Sequence, residues 1–318
     1  MEVLKQKHPT VGMSKLCGLF GKTRQGWYES MSRKDAEQVF DSILFYEIKR
    51  IRQGQPNSGL LKVYEQLKPF LAQWGIAIGR DKLSVFMRET GLFLRKKKNR
   101  TVTTDSYHRF HKYPNKTQGL VLRRANQLWV TDITYVPLKG DFAYLSLITD
   151  AYSRKIVGWC LWKTLHTQGC LNALNQALMS LKKCEVVAGL VHHSDRGIQY
   201  CSATYTRRLS DFKYGAIEMS MTENGDPYEN ALAERMNRTI KEEMLNNRIF
   251  DTFEAAQKAI SIAIKEYNEV RPHLSINMLT PEKAHKMTGD IPKKWKKYPY
   301  KPKDKSAELT QKLKPAKG

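Results

Sequence analysis

The hydrophobic period of this chain changes near residue 126. Ahead of that point, residues 35–93 carry apolar residues at helical spacing in three pieces separated by glycine, which predicts a compact all-helical module. Beyond it, the runs QLWVTDITYVPL, DFAYLSLITD and KIVGWCLW are rich in β-branched and aromatic residues, with turns at KGD and AYSR, which predicts three strands in hairpin order. Strand and helix then alternate. The pattern predicts an α/β core with a mixed sheet behind a helical region.

Five segments follow from the composition and the periodicity. Residues 1–34 are predicted as a helix-turn-helix-like segment, although a plain helical hairpin explains residues 10–30 equally well. Residues 35–97 form the helical module, and residues 98–124 form a basic linker suited to lie on DNA. The α/β core with its C-terminal helix spans residues 125–286. Residues 287–318 are rich in Lys and Pro and are predicted to be a disordered basic tail.

The charge of the chain points to a polyanionic partner. It has 54 Lys and Arg against 31 Asp and Glu, a net charge of +23. Nucleic acid rewards such a surplus through counterion release. A basic membrane-surface protein is the alternative, but no stretch approaches the roughly 18–20 apolar residues of a membrane span, and the N-terminus is not a signal peptide. Five scattered cysteines without a CxxC spacing predict reduced thiols. We therefore expect a cytoplasmic protein that binds nucleic acid and has no membrane partner.

Two acidic residues adjoin apolar stretches of the core. Asp132 lies inside LWVTDITYV, where a carboxylate costs free energy unless it is paired or binds a cation. Asp195 follows VVAGLVHHS, where a strand should end and place the side chain at the carboxyl edge of the sheet. DRG is also an ordinary turn, so Asp195 taken singly is better explained as structural. Asp132 taken singly is explained equally well as structural or functional.

The segment GDPYENALAERMNRTIKEEM, residues 225–244, predicts an amphipathic helix. On a wheel with about 100° per residue, Glu234, Arg238 and Lys241 lie opposite the apolar positions. A solvated face with i,i+4 ion pairs explains them. Alternatively, the apolar face packs on the sheet edge and Glu234 leans toward Asp132 and Asp195, while the basic residues follow a nucleic-acid backbone. Three such carboxylates repel one another unless divalent cations neutralise them, and two Mg²⁺ ions about 4 Å apart serve phosphoryl transfer.

Four ordered motifs carry a family resemblance. WVTDITY, HHSDRGIQY, SMTENGDPYENALAERMNRTIKEE and YNEVRPHLSINMLTPEKA closely resemble the second-frame (OrfB-type) transposases of the insertion-sequence-three family, relatives of retroviral integrases. The resemblance extends to IGRDKLSVFMRETGL and KYPN, so it spans most of the chain. It implies a ribonuclease-H-like core and places a catalytic, metal-binding triad on Asp132, Asp195 and Glu234, with two Mg²⁺ (or Mn²⁺) ions as cofactors. Glu229 is the alternative third carboxylate, on the apolar side of the wheel.

Other positions are predicted to contact DNA. The predicted contacts are Arg196, Asn224, Asn230, Arg238 and Lys241. Asn224 and Asn230 match the family's turn before the helix, where they either contact DNA or cap the helix. Residues 271–273, RPH, match a further family motif whose role the sequence does not assign.

The resemblance implies a DNA transposase. Such an enzyme binds the terminal inverted repeats of its own element, cleaves a strand with water and joins the freed 3′-hydroxyl, first near the other end in a circular intermediate and then to target DNA. Pairing two ends implies at least a dimer, and an upstream-frame protein is a possible partner or fusion. A non-catalytic DNA-binding regulator has no need of three acids. A structure-selective nuclease has no need of the N-terminal region.

Overall fold

A five-stranded mixed sheet forms the centre of the larger part of the chain. The computed structural model of the protein describes residues 2–94, 111–181, 189–213, 215–223 and 230–292. The strands are β1 (Leu128–Leu138), β2 (Asp141–Asp150), β3 (Ile156–Trp162), β4 (Val191–Ser194) and β5 (Glu218–Met221), in the order β3-β2-β1-β4-β5. β1, β2 and β3 are antiparallel, whereas β4 pairs parallel with β1 and with β5. The predicted mixed α/β sheet is confirmed.

Helices cover both faces of this sheet. The helices of the core are α6 (Thr167–Ser180), α7 (Ile198–Cys201), α8 (Ala203–Ser210), α9 (Ala231–Arg238), α10 (Phe253–Glu269) and α11 (Pro281–His285), with a π-helical segment (Thr239–Met244) continuing α9. One apolar cluster joins α6 and α8 to the face that carries Trp129. A second joins the π-helical segment and α10 to the face that carries Val136. Strand residues alternate between the two faces, so Asp132, an even-numbered neighbour of Val136, belongs to the second face.

The N-terminal region is helical, as predicted. Its helices are α1 (Glu2–Lys7), α2 (Met13–Gly18), α3 (Arg24–Gly54), α4 (Leu60–Gln73) and α5 (Arg80–Glu89). The predicted division between residues 34 and 35 falls inside α3, which runs without a break because no glycine or proline occurs from residue 27 to residue 53. Leu44 and Ile48 of α3 are buried against α4 and α5, whereas Val39, expected on the same stripe, is 60% exposed.

The helical module contacts the core through the connection between α3 and α4. The backbone N–H of Asn57 donates to the carbonyl of Glu243 at 3.1 Å, and its side-chain amide donates to the carbonyl of Glu242 at 2.7 Å. Lys62 of α4 forms an ion pair with Glu243 at 2.6 Å. The helical module is thereby fixed to the π-helical segment that follows α9.

Parts of the predicted linker and tail are packed on the core. The backbone N–H of Lys116 donates to Ser220 Oγ at 2.9 Å, and its ammonium pairs with Glu218, so this part of the predicted linker follows the edge strand β5. Tyr152 Oη donates to the carbonyl of Gly289, at the start of the predicted tail. Residues 95–110 and 293–318 lie outside the described part, and the remaining domain boundaries stay predictions. Among the residues described, no helix has the length and apolar character needed to cross a lipid bilayer.

Candidate active site

Asp132 projects from β1 toward α9. Its Oδ1 accepts a hydrogen bond from the backbone N–H of Ile133 at 2.8 Å, and its Oδ2 accepts one from the Asn237 amide at 2.9 Å. The preceding residue, Thr131, donates a hydrogen bond from its hydroxyl to the carbonyl of Leu147 on β2. The carboxylate therefore has a fixed position at the sheet, with one contact from its own strand and one from the helix above.

Asp195 follows the last residue of β4. The parallel pairing of β4 with β1 aligns Val130 with His193, and two residues further along these strands stand Asp132 and Asp195. Because parallel strands run side by side, Asp132 lies level with Asp195, at the point where β4 ends and β1 continues. Asp195 Oδ1 also accepts a hydrogen bond from the Gly197 N–H at 3.1 Å, which turns the chain away from the strand.

Helix α9 carries the third acid. Ala233 and Met236 bury one side of this helix, and Asn237 on the same side reaches Asp132. Glu234 lies one turn before Asn237 and is exposed. Since residues three apart on a helix are neighbours, Glu234 stands beside the contact that joins α9 to Asp132.

The environment of Asp132 disfavours its negative charge. Burial, together with the charge of Asp195 and a smaller contribution from Glu234, raises the pKa of this carboxyl to about 7. The hydrogen bonds from Ile133 and Asn237 oppose it without cancelling it. The structure therefore brings the three predicted carboxylates within electrostatic reach of one another.

The donor chemistry fits a hard divalent cation. Carboxylate oxygens are the ligands that Mg²⁺ and Mn²⁺ prefer, and a cation would relieve the repulsion between Asp132 and Asp195. As arranged, no group of three or more His, Cys, Asp or Glu side chains in the described part of the chain is placed to hold a metal ion. The exposed Glu234 is thus near the pair formed by Asp132 and Asp195 without completing a closed ligand set.

The predicted DNA contacts have different surroundings. Arg238 is exposed and paired with Glu242 at 3.2 Å, the i,i+4 arrangement of a solvated helix face. Lys241 does not share that face: it is half-buried and donates to Thr134 Oγ1 at 3.2 Å. The reason is that the α-helix ends at Arg238 and the chain continues as a π-helix, which changes the angular spacing of the residues that follow.

Two further predicted positions, Asn230 and Arg196, are not fully exposed. Asn230 is buried and donates to the carbonyl of Thr131 at 3.2 Å; its side chain does not cap α9. Arg196 is half-buried beside Asp195. Asn224 and Glu229, the alternative third carboxylate, lie outside the described residues.

Sequence reasoning missed Asn237. Its signal was a polar residue within the apolar stripe of α9, between Met236 and Ile240, which are both buried. A buried amide in that position requires a hydrogen-bond partner, and the carboxylate of Asp132 is that partner. Arg271, from the RPH motif, was noticed without a role; its partner is Glu243.

Comparisons with known proteins agree with this geometry. Models of the integrase core domain match residues 123–227 and residues 215–281. The chain is 30% identical over 295 residues to the transposase for insertion sequence element IS629 of Shigella sonnei, covering 90% of this chain and 95% of that relative. It is 28% identical over 293 residues to transposase InsF for insertion sequence IS3A of Escherichia coli (strain K12), covering 88% and 96%. The chain belongs to the IS3-type family of insertion-sequence transposases.

The integrase-core matches include every strand of the transposase's sheet, and the predicted ribonuclease-H-like fold class is confirmed. The catalytic core domain of HTLV-2 integrase, solved in complex with magnesium, has a TM-score of 0.40 and 20% identity, covering 51% of this chain and 97% of that chain. Family membership assigns the transposase to DNA transposition through an integrase core, a polynucleotidyl transfer in general terms.

Proposed function

We propose that the transposase cleaves and joins the ends of its own insertion sequence, with Asp132, Asp195 and Glu234 as its catalytic carboxylates. One observation carries the proposal: the parallel pairing of β1 with β4 puts Asp132 level with Asp195, and Asn237 joins to Asp132 the helix that carries Glu234. The raised pKa of Asp132 shows that its negative charge is disfavoured where it is buried, and a buried carboxylate without a compensating cation destabilises the fold. A purely structural role gives no reason for an acid at this position.

The three carboxylates are the residues that would hold Mg²⁺ or Mn²⁺. Two such ions, when bound, would activate the attacking oxygen and stabilise the leaving oxygen in a phosphoryl transfer. Asn237 and the Ile133 N–H orient the two oxygens of Asp132, so this carboxylate is positioned before substrate arrives. Glu234 remains exposed beside it, accessible to the DNA strand that enters the site.

End recognition is assigned to the helical module. Arg80, Lys82 and Arg88 of α5 are exposed, while Leu83 and Met87 hold the opposite side of that helix in the module's apolar core. The exposed side of α5 also carries Glu89 and Asp81, which is paired with Arg80 at 2.9 Å, so Lys82 and Arg88 are the cations best suited to contact phosphates when the helix enters a DNA groove. We assign α5 as the recognition helix for the terminal inverted repeats, with target DNA bound by the core.

The assembly follows from the reaction. A circular intermediate joins two ends of one element, so both ends must be held at the same time, which requires at least a dimer. Because the proposed substrate is DNA, we infer that the transposase acts in the bacterial cytoplasm, at the nucleoid. The contact of Lys62 with Glu243 links the end-binding module to the helix that carries Glu234.

A strand-transfer assay tests the proposal. The transposase is incubated with Mg²⁺ and a duplex that carries the terminal repeat, read from DNA flanking the gene. Joined products with short target duplications are expected from the wild type and from Asp211→Asn, an exposed acid at the end of α8. EDTA should stop the reaction. Binding without any cleavage would support a regulator instead, and cleavage without joining would support a nuclease.

A further inference from the structure

A cavity of about 510 Å³ opens beside the candidate active site, and the proposed function does not use it. Its volume lies in the range of ordinary ligand sites. It is formed between the C-terminal half of β1, the π-helical segment and the loop after it. Its principal lining residues are Thr134, Tyr135, Phe142, Lys241, Arg248 and Phe250.

The cavity begins within one nucleotide's length of Asp132. Thr134 lies two residues beyond Asp132 on the same strand and the same face, a separation of about 7 Å. Lys241 donates to Thr134, as Asn237 one turn earlier donates to Asp132. A DNA strand whose phosphate is at the carboxylates therefore brings a neighbouring base to the mouth of this cavity.

Three aromatic residues, Tyr135, Phe142 and Phe250, are among those that line it. Phe142 is 52% exposed at the start of β2, and its ring meets the Tyr135 ring edge to face, with centroids 6.1 Å apart. Phe250 is buried in the apolar cluster that contains Val136. In the free protein, an exposed phenylalanine beside a partly exposed tyrosine leaves apolar ring surface in contact with water, which is unfavourable. The same surface allows a planar ring to stack on it.

The charge at the cavity is positive. The ammonium of Lys241 is at the active-site end, and the guanidinium of Arg248 lies over the Phe250 ring, 5.3 Å from its centroid. None of the residues that line the cavity in the described part of the chain is acidic. Basic groups beside aromatic faces match a nucleotide, whose base is planar and whose phosphate is anionic.

The wall is built before any ligand binds. The Phe250 N–H donates to the carbonyl of Pro137 at 3.1 Å, and the Lys139 N–H donates to the carbonyl of Phe250 at 2.9 Å. The Asn247 N–H donates to the carbonyl of Lys241 at 2.8 Å. These backbone bonds hold the loop against the end of β1, so a ligand meets a preformed surface.

We propose that this cavity receives one unstacked base of the DNA strand that carries the reacting phosphate. The base stacks against Phe142 and Tyr135, and Lys241 and Arg248 contact the phosphates on either side of it. Because every base has a stacking face, the site holds the strand without reading its sequence. The inference rests on the proposed function, since it takes Asp132 as the position of the reacting phosphate.

Equilibrium binding in EDTA tests the pocket without requiring catalysis. The probe is the duplex carrying the element's terminal repeat, titrated against wild type, Phe142→Leu, Phe142→Trp and Ile262→Ala. Phe142→Leu keeps the apolar volume but removes the π face, so affinity should fall roughly tenfold. Phe142→Trp should retain wild-type affinity. Ile262→Ala, an exposed apolar residue on α10, should bind as the wild type does.

Two further measurements separate the phosphate contact of Arg248 from the base contact of Phe142 and Tyr135. Arg248→Ala should make the dependence of log K on log salt shallower by about one phosphate contact, whereas Phe142→Leu should leave that slope unchanged. Single 5-iododeoxyuridine substitutions around the terminal phosphate should photocrosslink to Phe142 or Tyr135 from one position. Equal affinity of Phe142→Leu and wild type, or crosslinks only to residues other than Phe142 and Tyr135, would show that the cavity does not receive a base. Because no metal is present, these results stand whichever carboxylates prove catalytic.

Discussion

The guanidinium of Arg271 holds the carboxylate of Glu243 through two hydrogen bonds, 2.9 Å from Nε to Oε1 and 2.8 Å from Nη2 to Oε2. Lys62 of the helical module donates to both oxygens of the same carboxylate, at 2.7 and 2.6 Å. Burial alone would raise the pKa of Glu243, but the contacts of Arg271 and Lys62 lower it. The RPH motif therefore supplies the residue that anchors the junction between module and core.

Removing Arg271 should weaken the whole fold. Arg271→Ala leaves a buried carboxylate with one of its two cationic partners, so the free energy of unfolding should fall by about 3–5 kcal/mol in urea titrations. Arg238→Ala breaks only the exposed pair with Glu242 and should cost no more than about 1 kcal/mol. Similar losses in the two variants would mean that the Arg271 pair is not buried as described.

Acid should destabilise the protein through His192. This residue is fully buried, with a 3.0 Å hydrogen bond between its Nε2 and Tyr205 Oη. Burial, with a smaller contribution from the charge of His193, lowers its pKa to about 3. The folded pKa lies below the unfolded value of about 6.5, so the unfolded state binds more protons below pH 6.5. Stability is full above that pH and falls by about 1.4 kcal/mol per pH unit as the pH decreases toward 3.

The test compares unfolding free energies of wild type and His192→Gln between pH 7 and pH 5, with the exposed His166→Gln as control. The unfolding free energy of His192→Gln should change less with pH than that of the wild type, by about 1.4 kcal/mol per pH unit below pH 6.5. The pH dependence of the control should match the wild type. A wild-type slope in His192→Gln would show that this histidine does not titrate between the two states.

Asn237 should act on the reaction through Asp132. Asn237→Ala removes the 2.9 Å hydrogen bond to Oδ2 and frees the carboxylate to rotate. Losing such a supporting contact costs about 10–100-fold in activity, so joining should slow by that factor while end binding is retained. Asn172→Ala is the control, because this amide on α6 accepts a hydrogen bond from Gln168 and not from a group that contacts Asp132. Joining at the wild-type rate by Asn237→Ala would show that Asn237 does not position Asp132 for the reaction.

Arg238 and Lys241 should differ in DNA binding. Lys241 stands beside Thr134 at the site, whereas Arg238 is neutralised by Glu242 on an exposed face. Lys241→Ala should bind end DNA severalfold more weakly, with a salt dependence shallower by about one phosphate. Arg238→Ala and the exposed Lys265→Ala should change affinity by less than twofold. An equal effect in all three variants would show that binding follows total charge alone.

Much of the fold could be predicted because its signals are local. The runs of β-branched and aromatic residues form β1, β2 and β3. The sequence Thr-Pro-Glu signals the start of α11, where the hydroxyl of Thr280 accepts a hydrogen bond from the backbone N–H of Lys283. The division expected between residues 34 and 35 lies within α3, because a polar stretch without glycine or proline resembles a boundary yet continues a helix.

The site was only partly visible for a physical reason. Asp132 was noticeable as an acid in an apolar strand, but its proximity to Asp195 depends on the parallel register of β4 with β1. The inward turn of Lys241 depends on a π-helical segment that packs against the core and has no sequence signature. The Arg271 contact joins residues 28 positions apart, and only the tertiary fold brings them together.

The central claim is that three carboxylates perform one reaction on bound DNA. The measurement that tests it most directly is a paired assay of end binding and strand transfer in Mg²⁺ for Asp132→Asn, Asp195→Asn and Glu234→Gln. Each amide keeps the side-chain shape but removes the charge, and phosphate contacts and chemistry use different residues. We predict that all three variants bind end DNA as the wild type does and form no detectable joined product. Full strand transfer by any one of them would contradict the triad and, for Glu234, would move the third position to Glu229 or Asp226.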